Sequence, residues 1–228
     1  MKSIILFLII TISYPAFTQV EIIPQDQQNK STLPDEKLIQ DISMLIFKDK
    51  KYDEALMKID VYISRHPNIH VGWFFQGLAY MAIKEYNKAV ISFDTSLKYE
   101  PGNPTVLSKK AQAFYFLKKY KAAKDLINES VTLGEEDPDA WNTKGLIYKR
   151  LKEYRESEKA FIKSTQIMDD FAAGHYNLAC LYVVWGKKKQ AIVELKKCFE
   201  KNEAFKAYAQ KDDELKPIHY DADFQALY

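Results

Sequence analysis

Residues 70–103 read HVGWFFQGLAYMAIKEYNKAVISFDTSLKYEPGN, and residues 138–171 read PDAWNTKGLIYKRLKEYRESEKAFIKSTQIMDDF. Laid over one another, Trp73 falls on Trp141, Gly77 on Gly145, Tyr80 on Tyr148, Tyr86 on Tyr154 and Phe93 on Phe161. The offset is twice 34 residues, and the same phase runs outward through residues 36–205 without an insertion. Ala55, Ala89, Ala123, Ser157 and Ala191 stand 34 apart, as do Tyr52, Tyr86, Tyr120, Tyr154 and Lys188. Ser43, Gly77, Ala111, Gly145 and Ala179 form a second small series, each followed three residues later by a large side chain (Ile46, Tyr80, Phe114, Tyr148, Tyr182). Large apolar residues also follow each alanine-type position by four: Ile59, Phe93, Ile127, Phe161 and Leu195.

Spacings of three and four place these groups on one face of a helix. Small residues at fixed places let two helices approach closely, and a large residue one turn away fills the space beside them. Each unit therefore reads as two antiparallel helices, turning near Asp49-Lys50, Lys84-Glu85, Lys118-Lys119, Lys152-Glu153 and Gly186-Lys187. One helix pair cannot bury its own apolar face, so the units must stack.

The period and the Trp73, Gly77, Tyr80, Ala89, Phe93, Pro101 series resemble the tetratricopeptide repeat, with Trp141, Gly145, Tyr148 and Phe161 matching most of the series again. The resemblance implies an all-α, right-handed superhelical solenoid of five helix-turn-helix repeats at 36–69, 70–103, 104–137, 138–171 and 172–205. Residues 206–228 resemble the short cap that closes such arrays, with Leu215, Ile218, Phe224 and Leu227 expected to cover the last helix face. The closing proline, present as Pro67 and Pro101, becomes Glu135, Asp169 and Glu203, and Ile39 and His175 replace the leading Trp in the outer units.

Residues 1–18 read as an export signal: Lys2, an apolar run from Ile4 to Ile12 too short to span a bilayer, then Pro15 and a cut before Gln19 after Ala16-Phe17-Thr18. Thr18 is a less usual residue at such a cut, so an uncleaved N-terminal anchor is the alternative. The polar, Gln-rich residues 19–35 read as a flexible linker. The expected location is periplasmic or secreted.

Lysine plus arginine number 33 against 31 acidic residues, a balance that carries no electrostatic footprint for nucleic acid. Cys180 and Cys198 lack the paired spacing of a zinc or redox motif and read as packing residues. No nucleophile elbow, phosphate-cradling glycine loop or HExxH pair occurs. His66 and His70 flank Pro67 in a turn, Glu135-Glu136-Asp137 reads as helix-start charge, and His175 reads as a packed histidine in a tryptophan's place. No catalytic residue, metal site, cofactor or small-molecule substrate is expected.

The resemblance implies a partner-binding groove lined by the first helix of each unit. Carried over by position, its residues are Met44, Phe47, Phe74, Leu78, Met81, Gln112, Tyr115, Phe116, Asn142, Lys149 and Arg150, with Tyr176 and Cys180 at the fifth unit's positions. The two-Lys, two-Asn, one-Arg clamp by which some relatives hold a terminal carboxylate is not found in any three consecutive units. The expected function is a non-catalytic scaffold holding a protein or peptide segment, within an envelope complex. The alternative is a structural subunit that forms a homo-oligomer through its end faces. The ligand expected is apolar over the first three units and acidic near the fourth, and the competing occupant of the strip is the chain's own Val20, Ile22 and Ile23. Intact-mass measurement of the exported protein should give an N-terminus at or near Gln19; a membrane-bound form retaining Met1 would establish an anchor instead.

Overall fold

A computed structural model describes residues 34–228; the expected signal, the cut before Gln19 and Val20, Ile22 and Ile23 lie outside the described residues. Ten helices follow one another as hairpins: α1 (Glu36–Phe47) and α2 (Tyr52–Arg65), α3 (His70–Ala82) and α4 (Tyr86–Tyr99), α5 (Pro104–Phe116) and α6 (Tyr120–Leu133), α7 (Pro138–Arg150) and α8 (Tyr154–Ile167), α9 (Ala172–Val184) and α10 (Lys188–Lys201). A short α11 (Ala204–Ala209), a 3-10 turn (Asp213–Ile218) and a one-turn α12 (Ala222–Gln225) complete the described chain, which contains no strand among the described residues. The chain forms two compact units that divide between Lys118 and Lys119.

The hairpin turns recur as strictly as the helices. Lys50, Lys84, Lys118, Lys152 and Gly186 all adopt the left-handed conformation, with φ between 54° and 80°. A left-handed residue lets the chain reverse while the last helical carbonyls stay bonded. At Lys84 its own N–H reaches Met81 O at 3.1 Å and the Glu85 N–H reaches Tyr80 O at 2.9 Å. Lys152 and Glu153 repeat this on Lys149 and Tyr148, and Gly186 and Lys187 on Val183 and Tyr182. Only the last of the five is glycine, so each lysine holds a geometry that costs an L-residue about 1–2 kcal/mol.

In the unit containing residues 34–118, Ile42, Ala55, Ile59, Tyr62 and Ala79 are fully buried in one apolar cluster around α1 to α3. A second cluster joins Ala89 and Phe93 of α4 to Val106 and Ala113 of α5. α3 and α4 approach closely at Gly77, where a Cβ would overlap the Phe93 ring. In the unit from 119 onward the same relation recurs: a Cβ at Gly145 would overlap the ring of Phe161, which is fully buried. Where Ser157 stands in the alanine series, its hydroxyl donates to the Gly145 carbonyl at 2.7 Å, so the extra polar atom is satisfied.

Trp73 and Trp141 of the repeat series are half-buried. The indole of Trp73 donates to the Pro67 carbonyl at 2.9 Å, and that of Trp141 donates to the Glu135 carbonyl at 2.7 Å, six residues back in each case. The indole therefore satisfies a turn carbonyl with its edge, and its truncation leaves less of a cavity than a fully enclosed ring would. Cys180 and Cys198 are buried, free thiols.

Gly77→Leu should destabilise by roughly 1–3 kcal/mol or more, because the space a side chain needs is filled by Phe93. Lys84→Gly should stabilise by up to about 1 kcal/mol by relieving the left-handed lysine. Urea denaturation of both variants checks this pair of opposite signs; equal midpoints would contradict the packing described.

Candidate functional site

The expected groove residues fall into both units, and each unit treats them differently. On α1, Met44 is 50% exposed and Phe47 37%. On α3, Phe74, Leu78 and Met81 are half-buried. Leu78 packs against both apolar clusters of the unit, and Phe74 and Met81 against the second. These residues share a stripe because they recur at three- and four-residue spacing on first helices, while the opposite faces of α1 and α3 supply Ile42 and Ala79 to the core. On α5, Gln112 and Phe116 are half-buried, and the Phe116 ring stacks on Tyr86 with centroids 4.7 Å apart. Tyr115, expected to line the groove, is only 2% exposed and belongs to the interior.

In the unit from residue 119 onward the polar residues expected at the surface are engaged inside it. Asn142 is buried, and its side-chain oxygen accepts from the Asn177 amide at 2.9 Å, tying α7 to α9. Lys149, expected as an accessible cation, has a side chain 5% exposed, with Nζ 2.7 Å from Glu214 Oε2. Arg150 lies 3.4 Å from the other oxygen of the same carboxylate. The acidic group expected near the fourth unit is thus present, and it is the chain's own. Beside it, Tyr176 donates to Asp212 Oδ2 at 2.7 Å, and the Cys180 thiol reaches the same oxygen at 3.9 Å. Leu215 and Ile218 are fully buried in the same segment.

Burial works against a charge on Glu214, yet Lys149 and Arg150 outweigh it and hold the carboxyl below its ordinary value of 4.5. Burial, the Cys180 thiol and the Asp212 carboxylate push the Tyr176 hydroxyl far above its ordinary range, so it remains a donor. Burial also raises the Cys180 thiol well above its usual range, which makes it an unreactive one.

His175 stands where Trp73 and Trp141 stand in their repeats, and its environment differs accordingly. Its Nδ1 lies 2.7 Å from Glu194 Oε2, and its Nε2 is buried without a hydrogen-bond partner among the described residues. Burial opposes the Glu194 charge, but His175 and Lys197 prevail and keep that carboxyl below its ordinary value. A cleft of about 410 Å³ opens beside the pair, lined among others by Thr165, Asp169, Tyr182 and Lys197. Asp169 is six residues before His175, the position whose carbonyl holds the indole in the other two cases. The smaller ring turns to Glu194 and leaves the indole's space open. No group of three or more His, Cys, Asp or Glu that could hold a metal occurs among the described residues. Likewise, no helix among the described residues is long and apolar enough to cross a membrane.

Consecutive antiparallel helix hairpins with a first-helix face that differs from unit to unit define an α-helical repeat protein. Residues 172–205 match the family model for the tetratricopeptide repeat, and residues 82–164 match that for anaphase-promoting complex, cyclosome, subunit 3. The chain is a tetratricopeptide-repeat protein. Among solved structures it is similar to MamA 41-end from Desulfovibrio magneticus RS-1, with 23% identity and a TM-score of 0.63 over 74% of this chain and 95% of that one. TTC0263 of Thermus thermophilus, a thermophilic TPR protein, is 15% identical with a TM-score of 0.66 over 74% of this chain and 91% of its own. YrrB, described as a TPR protein with an unusual peptide-binding site, is 19% identical with a TM-score of 0.58 over 76% and 90%. No curated protein matches the chain in sequence.

The Glu214 contacts carry a pH dependence whose sign is fixed. A carboxyl whose folded pKa is depressed contributes stability that is complete above its unfolded value, near 4.5, and is lost as pH falls through the folded value. Thermal unfolding of wild type and Glu214→Gln should therefore differ most above pH 4.5 and converge in acid; a constant difference at every pH would show that the carboxylate's charge is irrelevant.

Proposed function

We propose that this chain is an exported, non-catalytic interaction scaffold that holds a protein segment on the first-helix face of residues 36–118. The observation that carries the reading is the apolar stripe on α1 and α3: Met44 and Phe47 exposed, Phe74, Leu78 and Met81 half-buried beside them. Contiguous apolar surface of this kind on a folded protein marks an interaction site. A segment with apolar anchors at helical or extended spacing is the ligand that such a stripe fits, with Gln112 and Phe116 as its neighbours on α5. The peptide-binding site of YrrB supports the use of this fold for holding peptides. Export rests on the apolar run from Ile4 to Ile12 and the break at Pro15, and points to an envelope complex as the setting.

Crosslinking pull-down from the envelope of the source cell identifies the partner, and calorimetry then tests the surface. Phe74→Ala should weaken the complex by about 2 kcal/mol or more, since aromatic anchors dominate binding energy. Unchanged affinity in a variant of normal helicity would remove this face from the interaction.

A further inference from the structure

The segment from Asp212 to Leu215 is held in an unusual way for a closing element. It belongs to a single 3-10 turn, a conformation of poor hydrogen-bond geometry that is weak on its own. Its backbone bonds are local, Leu215 N–H to Asp212 O at 3.1 Å and Glu214 N–H to the Asp212 side chain at 2.9 Å. What fixes it to α7 and α9 is side-chain chemistry: Asp212 on Tyr176 and Cys180, Glu214 on Lys149 and Arg150, and Leu215 enclosed. Asp213, between the two engaged carboxylates, is half-exposed and pairs with the neighbouring Lys216 at 2.8 Å. Residues on either side are anchored separately. Phe205 lies beside the Tyr176 ring at 5.3 Å, and Phe224 stacks on His219 at the same separation.

We infer that Asp212–Leu215 is an internal ligand, seated on a first-helix site of α7 and α9 that also accepts a partner's acidic segment of the pattern carboxylate, spacer, carboxylate, aliphatic. The inference rests on the reading that first-helix faces of this chain hold protein segments. Lys149 has only 5% of its side chain exposed, so the cation is already desolvated and bounded by protein walls. A site of that kind binds a matching carboxylate because the cost of stripping its water has been met in folding. Exchange of one acidic segment for another replaces each ionic and apolar contact with its equivalent, so what a partner has to overcome is the high effective concentration of the tethered segment. The recognised carboxylates are side chains within a segment, so the site reads an internal sequence and needs no free chain end.

The test uses the full chain carrying Asp212→Asn and Glu214→Gln, which weakens the resident segment and leaves its receptor intact. The probe is a fluorescein-labelled peptide of residues 210–219, QKDDELKPIH, blocked at both ends and followed by anisotropy. The double variant should bind it at least tenfold more tightly than wild type. A peptide carrying Asp212→Asn and Glu214→Gln should bind neither, and adding Lys149→Glu to the host should abolish the signal. Equal binding, or none, to a folded double variant and wild type would overturn the inference, as would exchange of tails between copies without capture of the peptide. Should the double variant unfold, hydrogen exchange on wild type decides. Amides of 212–218 exchanging much faster than those of α9 support a displaceable segment; equal protection overturns it. A negative result here with Phe74→Ala still weakening the partner leaves the proposed function standing and removes only the internal ligand.

Discussion

The second and fourth hairpins depend on one close approach, a residue without a side chain on the first helix facing an aromatic ring on the second. At Gly77 and Phe93, and again at Gly145 and Phe161, the ring occupies the volume that a Cβ would need. That contact sets the separation of the two helices, and the separation decides which faces are enclosed. The short turns are a separate constraint, a left-handed residue at the same phase of all five hairpins whether or not a glycine faces a ring. The lysines at Lys50, Lys84, Lys118 and Lys152 accept an unfavourable backbone geometry so that the chain can reverse with its last helical carbonyls bonded.

The hairpins were legible in the sequence because their determinants are local and periodic. A small residue, a large one three later and a tyrosine nine later carry the helix phase without reference to anything distant. The position of each turn was marked as well, at the same phase of every unit, but its left-handed conformation was not, since four of the five residues there are lysine. Sequence reasoning missed the burial of Lys149, since Glu214 lies 65 residues away and nothing in the periodicity points to it. It also placed Tyr115 on the groove, where the structure puts it inside. Position within a repeat fixes the direction of a Cα–Cβ bond, but neighbours from other elements decide what the side chain meets. The half-burial of Trp73 and Trp141 escaped notice for a different reason: their role is to satisfy a carbonyl six residues back, which a count of apolar positions does not register.

The two units show how one backbone plan supports different surface chemistries. In the first, α1 exposes Met44 and Phe47, while α3 holds Phe74, Leu78 and Met81 half-buried against the core. In the second, the corresponding helices α7 and α9 present a cation, a phenol and a thiol, all engaged by the chain's own carboxylates. Charged groups become specific when desolvated, since the wrong partner leaves a buried charge unmatched. Apolar stripes discriminate less, by shape and size.

The cleft beside His175 shows what a repeat loses when one of its members is shortened. In the second and fourth repeats an indole spans from the helix to the turn before it and closes the outer seam between neighbouring hairpins. In the fifth, an imidazole bonded through Nδ1 to Glu194 stands in the indole's place, and a notch of about 410 Å³ opens next to Asp169. The notch is bounded by side chains of α8, α9 and α10. In a linear stack the coupling between neighbours is what makes unfolding cooperative, so a seam that lacks one contact must be held by others. In the fifth repeat cohesion therefore comes from the buried side-chain pairing of α9 with α7 and with the segment after α10, and not from an indole at the edge.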